Sequence, residues 1–143
     1  MRALRLSLAF LALAACAGGS PRPQAIPLDR FNCARCGMMI SSERGDAQVL
    51  HAGRDPRFYD DIGCLAADRA AWQDGGIPYV MTETGGWTRA DAAFYARPAE
   101  VHTAMNYGFT AYAAQTDASR LDREGKALRW DDVLRAVAAG GKS

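Results

Sequence analysis

Between Ala47 and Thr82 the apolar pattern alternates, takes up the helical period and then alternates again, which restricts the chain to strands packed with helices. Ala47-Gln48-Val49-Leu50-His51 reads as a strand, Gly53-Arg54-Asp55-Pro56 as a turn and Arg57-Phe58-Tyr59 as a second strand. From Asp60 to Trp72 acidic residues lead, and Ile62, Leu65 and Trp72 share nearly one stripe, so a helix closed by Gly75-Gly76 is predicted. Ile77 to Thr82 returns to strand. The second half repeats the plan, with Tyr107 to Ala113 as strand, Asp117 to Glu124 as helix and Ala127 to Trp130 as strand. Thr116 is its expected N-cap and Gly125 its stop. Between the halves Gly85-Gly86 turns the chain into Trp87-Thr88-Arg89 and Ala92 to Tyr95, and Asp131 to Ala139 reads as a closing helix. The expected fold class is α+β, two small ββαβ units sharing one core.

The N-terminus sets the compartment. Met1-Arg2-Ala3-Leu4-Arg5 leads into an apolar run from Leu6 to Ala15, too short for a finished membrane span, and then Cys16. Leu13-Ala14-Ala15-Cys16 resembles the bacterial lipobox, so residues 1–15 are expected to be a lipoprotein signal and Cys16 a lipidated anchor. Residues 16–28, with Gly18-Gly19-Ser20 and three prolines, read as a flexible tether, and 29–143 as one domain of modest core. Without Arg2 and Arg5 the chain carries 15 basic against 16 acidic residues, so no basic patch argues for nucleic acid. Later segments are too short or too polar to span a bilayer, which leaves the lipid as the membrane attachment.

Phe31-Asn32-Cys33-Ala34-Arg35-Cys36-Gly37-Met38-Met39-Ile40 gathers two thiols and two thioethers. A thioredoxin-like pair would follow a strand and open a helix, and here Gly37 and two methionines follow instead. A Cys33–Cys36 disulfide would close a loop too short to add much stability. Zinc usually takes a second pair of ligands at short spacing, and only Cys64, His51 and His102 remain, each alone. Thioethers suit Cu(I), and Gly37 lets the chain bend so that Cys36 and Met38 converge.

Cys33-Ala34-Arg35-Cys36-Gly37-Met38-Met39-Ile40 is followed in order by three further stretches: Phe58-Tyr59-Asp60-Asp61-Ile62-Gly63, then Gly86-Trp87-Thr88-Arg89-Ala90-Asp91-Ala92-Ala93-Phe94-Tyr95, then Ala104-Met105-Asn106-Tyr107-Gly108-Phe109-Thr110-Ala111-Tyr112. Together they resemble NosL-type proteins, copper-chaperone lipoproteins of nitrous oxide reductase maturation. The resemblance implies a periplasm-facing Cu(I) carrier that works with an ABC-type assembly complex and supplies the copper–sulfur site of the reductase. It also implies paired ββαβ units related to the small domain of organomercurial lyase. By the same resemblance Cys36, Met38 and Met105 are the metal ligands, with Cys33 and His102 as further candidates. Two positions depart from the family's pattern: Ala104-Met105-Asn106 stands where Pro-Met-Gly is frequent, and Ala34 where histidine is frequent.

Other residues have plainer readings. His51 lies in an alternating strand, and Cys64 on the buried face of the predicted helix. Asp60-Asp61 reads as a helix start, and Trp72, Trp87 and Trp130 as core or interface anchors. The protein is therefore expected not to be an enzyme. Two rivals stand beside the carrier: a thiol-based lyase or oxidoreductase using Cys33, Cys36 and Cys64 with Asp61 as proton donor, and a structural lipoprotein with an inert Cys33–Cys36 bridge. The enzyme would need Cys64 exposed beside the pair.

Overall fold

The computed structural model describes residues 21–142. The expected signal and Cys16 lie outside these residues. Strands β1 (Ala47–Leu50), β2 (Arg57–Tyr59) and β3 (Ile77–Met81) flank helix α1 (Ile62–Ala67), and β4 (Trp87–Arg89) completes an antiparallel sheet of order β2-β1-β3-β4. The first three strands and α1 make the predicted ββαβ unit. A hairpin of β5 (Phe94–Ala96) and β6 (Thr110–Tyr112) leads into α2 (Gln115–Leu121), and α3 (Trp130–Ala138) closes the chain. The fold is α+β, as expected.

The second unit is a reduced copy of the first. Its last strand shrinks to one antiparallel bridge, in which Tyr95 and Leu128 exchange backbone hydrogen bonds of 2.9 and 2.8 Å. Trp130 cannot extend that strand because it opens α3, where Asp132 caps the Arg129 amide at 2.8 Å. The strand expected from Tyr107 starts only at Thr110, since Thr103 Oγ1 holds the Gly108 amide at 2.9 Å in the preceding loop. In α2 the N-cap position falls on Ala114, which has no side-chain cap, and Thr116 lies inside the helix, because β6 ends at Tyr112 and the chain turns at once.

Helix α1 is shorter than its stripe. Asp68 leaves helical dihedrals and accepts hydrogen bonds from Arg57 Nη2 at 2.8 Å and Tyr59 Oη at 3.0 Å, which pins the helix end to β2 before a 3₁₀ turn at Arg69–Ala71. The core runs between the sheet, α1 and α3 and includes Ile40, Val49, Tyr59, Leu65, Val80 and Val133. Trp130 joins the halves, with ring centroids 6.1 Å from Trp72 and 5.7 Å from Tyr95. Packing begins earlier than the Asp29 boundary. The Gln24 amide donates to Gln48 Oε1 at 3.2 Å, Gln48 Nε2 donates to the Gln24 carbonyl at 2.8 Å, and Ile26 is buried in the core.

Gly63 in α1 is where the sheet layer meets the 102–108 loop. A Cβ there would lie 2.0 Å from Tyr107 Cγ, inside any tolerable contact. Gly63→Ala is expected to cost at least about 2 kcal/mol of metal-free stability through overpacking, read by chemical denaturation. Gly53→Ala, in open space at φ +71°, should cost about 1 kcal/mol through backbone strain.

Candidate metal centre

The segment from Phe31 to Ile40 folds into a tight loop on β2. The Ile40 amide donates to the Phe31 carbonyl at 2.9 Å, the Cys33 amide to the Met38 carbonyl at 2.7 Å and the Gly37 amide to the Cys33 carbonyl at 2.9 Å. Gly37 takes φ +78°, the left-handed conformation that this closure needs. The Ala34 amide bonds the Phe58 carbonyl at 2.8 Å and the Phe31 ring stands edge-on to Phe58, so the loop is fixed to the strand that runs into Asp60.

Across from this loop, Asp61 starts α1. It is fully buried and accepts three hydrogen bonds: Gly63 N at 2.7 Å, Thr103 Oγ1 at 2.6 Å and Met105 N at 3.0 Å. The expected helix start is there, with both carboxyl oxygens taken up by these contacts. The same α1 turn presents Cys64. One ligand atom each from Cys33, Cys36, Asp60 and Cys64 lies within 4.8 Å of all the others. Three sulfurs around one ion at about 2.3 Å sit about 4 Å apart, so a central metal needs only sub-ångström contraction. All three cysteines are free, with no Cys33–Cys36 bridge. Cys33 and Cys64 are buried and Cys36 is half-buried, which makes Cys36 the most accessible thiol of the three.

Charge in the cluster is unevenly shared. A hydrogen bond from the Cys64 thiol pulls Cys33 down to about 4 against its burial, helped by the backbone amides of Cys36, Asp60 and Arg35. The same contact, with burial, drives Cys64 far above the ordinary thiol range. Burial raises Cys36 also, with the Cys33 charge adding to it. Burial and contact with Cys33 lift Asp60 to about 7. Behind it Asp46, 1% exposed, is lifted to about 7 by burial and by the Asp60 charge. The metal-free cluster thus sets one thiolate among groups whose protons burial makes harder to remove. A cation entering it must displace protons.

No family model and no curated protein sequence matches the chain. Among solved structures, the copper chaperone NosL from Shewanella denitrificans superposes with a TM-score of 0.63 and 18% identity, over 81% of this chain and 99% of that one. The chain has the NosL fold.

Within this NosL-like fold the expected ligands separate. Cys36 belongs to the thiol cluster, its Sγ 3.8 Å from Asp60 Oδ1. Met38 is 47% exposed and lines an adjacent cavity with His102 and Asp60. Met105 is half-buried and packs against the core. His51 is outside the cluster, paired with Asp74 at 2.7 Å. Sequence reading put Cys64 on a buried face, where it is, and outside the expected copper ligands, whereas the fold brings its thiol to the Cys33–Cys36 pair. Cys64 lies beside the pair without the exposure that the thiol enzyme requires, at 2%. Asp60 was readable only as a helix start. Neither joins the site through sequence spacing; both arrive there because β2 and α1 place them opposite the loop.

Two outcomes follow for the metal-free protein. Met105→Ala should lower stability by about 1–2 kcal/mol, whereas Met38→Ala should change it by less than about 0.5 kcal/mol, as urea denaturation will show. Asp46 has a folded pKa of about 7, above its unfolded value, so its contribution is full below about pH 4 and is lost as pH rises through about 7. Asp46→Asn should remove that slope, gaining about 1–3 kcal/mol on wild type between about pH 5 and about pH 8 in melting experiments.

Proposed function

We propose that the protein is a Cu(I) carrier of the cell envelope, anchored by lipid on Cys16 and facing the periplasm. Cys33, Cys36 and Cys64 hold the ion and Asp60 forms one wall of the site. The observation that carries this reading is the convergence of three free thiols and a carboxylate in a fold shared with a copper chaperone. Thiolates prefer soft Cu(I), and a site with one ready thiolate can take up a cation and release it again without breaking a disulfide. Cys36, half-buried, is the thiol through which an acceptor would begin exchange. Met38 and Met105, the thioethers implied by the family resemblance, are neutral donors available to the bound ion. The acceptor is nitrous oxide reductase or its ABC-type assembly complex, and delivery is of copper for the copper–sulfur site. Among the described residues no helix is long and apolar enough to cross a membrane, so in this reading attachment rests on the lipid.

One feature favours a second reading. Three cysteines and an aspartate are also a workable tetrahedral set for Zn(II). Competition between a Cu(I) chelator and Zn(II) on reduced protein separates the two. The expected result is about one Cu(I) retained per chain and zinc displaced, with Cys36→Ser and Cys64→Ser each weakening Cu(I) at least about tenfold. Tight zinc that Cu(I) does not displace would establish the second reading. Cu(I) should also raise the melting temperature of the wild type and raise it less in the cysteine variants, because a ligand stabilises the native state by its affinity for it.

A further inference from the structure

A groove of about 290 Å³ opens over the ends of α1 and α3, which pack together. It is lined by Ala66 and Ala67, the last two residues of α1, and by Val137 and Ala138, the last two of α3. Arg35, Arg69 and Tyr107 line the same groove, and Lys142 Nζ lies 5.4 Å from the centre of the Tyr107 ring. These cations are unpaired. Arg44, Arg54, Arg57, Arg89, Arg120 and Arg135 each have a carboxylate partner, whereas among the described residues Arg35, Arg69 and Lys142 have none. One unpaired surface arginine means little. Three cations about one apolar groove make a field that a ligand bearing carboxylates would answer.

The helix ends narrow the choice of ligand. The last carbonyls of a helix carry partial negative charge, which disfavours a small bare anion seated against them. A peptide suits both features: its side-chain carboxylates reach the exposed guanidinia, its backbone amides face the carbonyls, and its apolar residues cover Val137 and Ala138. The groove also adjoins the thiols. Arg35 stands between Cys33 and Cys36 in the loop closed by the Gly37 amide on the Cys33 carbonyl at 2.9 Å. Tyr107 packs on Gly63, directly before Cys64, and Ala66 and Ala67 follow Cys64 in the same helix.

We infer that this groove is a docking site for an acidic, extended segment of a partner protein, whose carboxylates pair with Arg35 and Arg69 and whose chain is thereby held beside Cys36. That the partner is the copper acceptor rests on the carrier reading. Docking itself needs no metal.

The probe is an acetylated Glu-Leu-Glu-Ser-Glu-Leu-Glu peptide titrated into the reduced protein. It should shift the ring resonances of Tyr107 and the methyl resonances of Val137 and Ala138. Its affinity should fall at least about fivefold in Arg35→Gln/Arg69→Gln, which keeps two long side chains and removes their charge. Raising sodium chloride from about 0.05 to about 0.5 M should weaken binding in the same direction, and a peptide with Lys in place of Glu should not bind. Arg69→Gln alone should still retain about one Cu(I) per chain, since Arg69 is no member of the thiol cluster. Three results overturn the docking site and leave the carrier reading standing: an acidic peptide that does not bind or binds the double variant equally well, equal binding of the Lys peptide, or two arginines that prefer phosphatidylglycerol vesicles to the peptide. Arginine-dependent peptide binding by a protein that retains no Cu(I) upholds the docking site and sinks the carrier reading.

Discussion

The Asp61 carboxylate is the contact on which the site depends. It is wholly buried, caps the first turn of α1 through Gly63, and binds the loop at Thr103 and Met105. Three donors offset the cost of burying the group, so removing it would leave an amide of the helix and two groups of the loop without partners. Cys64 is carried by that helix, Asp60 precedes the cap directly, and Thr103 passes the restraint to Gly108 and to the turn under His102. One side chain therefore sets the distance between three parts of the sequence that supply donors.

Much of the architecture was legible because its signals are local. β2 was read to the residue, α3 nearly so, and the order of the first ββαβ unit followed from the change of period. Misreadings arose where a tertiary bond overrode the local pattern. Asp68 looks like any helical residue until its bonds to Arg57 and Tyr59 end α1, and Leu128 has the surroundings of a strand but only Tyr95 to pair with. The site divides in the same way. Cys33, Cys36 and Met38 announce themselves by spacing, whereas Cys64 and Asp60 come beside the two cysteines because the hydrogen bond from Ala34 to Phe58 fixes the loop to β2, which runs on through Asp60 into α1.

The cluster also shows what gathering acidic groups costs a fold. Cys33, Asp46 and Asp60 bring acidic groups together in a buried region, and the two carboxyls hold their protons to higher pH than usual beside the Cys33 charge. A bound cation would offset the same charge. In the carrier reading stability and occupancy are consequently coupled, and Asp46 behind the cluster belongs to the binding thermodynamics.

The mutual hydrogen bonds of Gln24 and Gln48 carry a consequence for reach. They fasten the chain to β1 only eight positions after Cys16. A fully extended stretch of that length covers no more than about 3.6 Å per residue, or about 29 Å in all. With a lipid on Cys16, the domain would move over the bilayer like a buoy on a short line, and its cargo could be handed over only within a shallow layer above the headgroups. In the proposed carrier reading, an acceptor docking site in that layer would be met by diffusion in two dimensions, and one far above it would not be met at all.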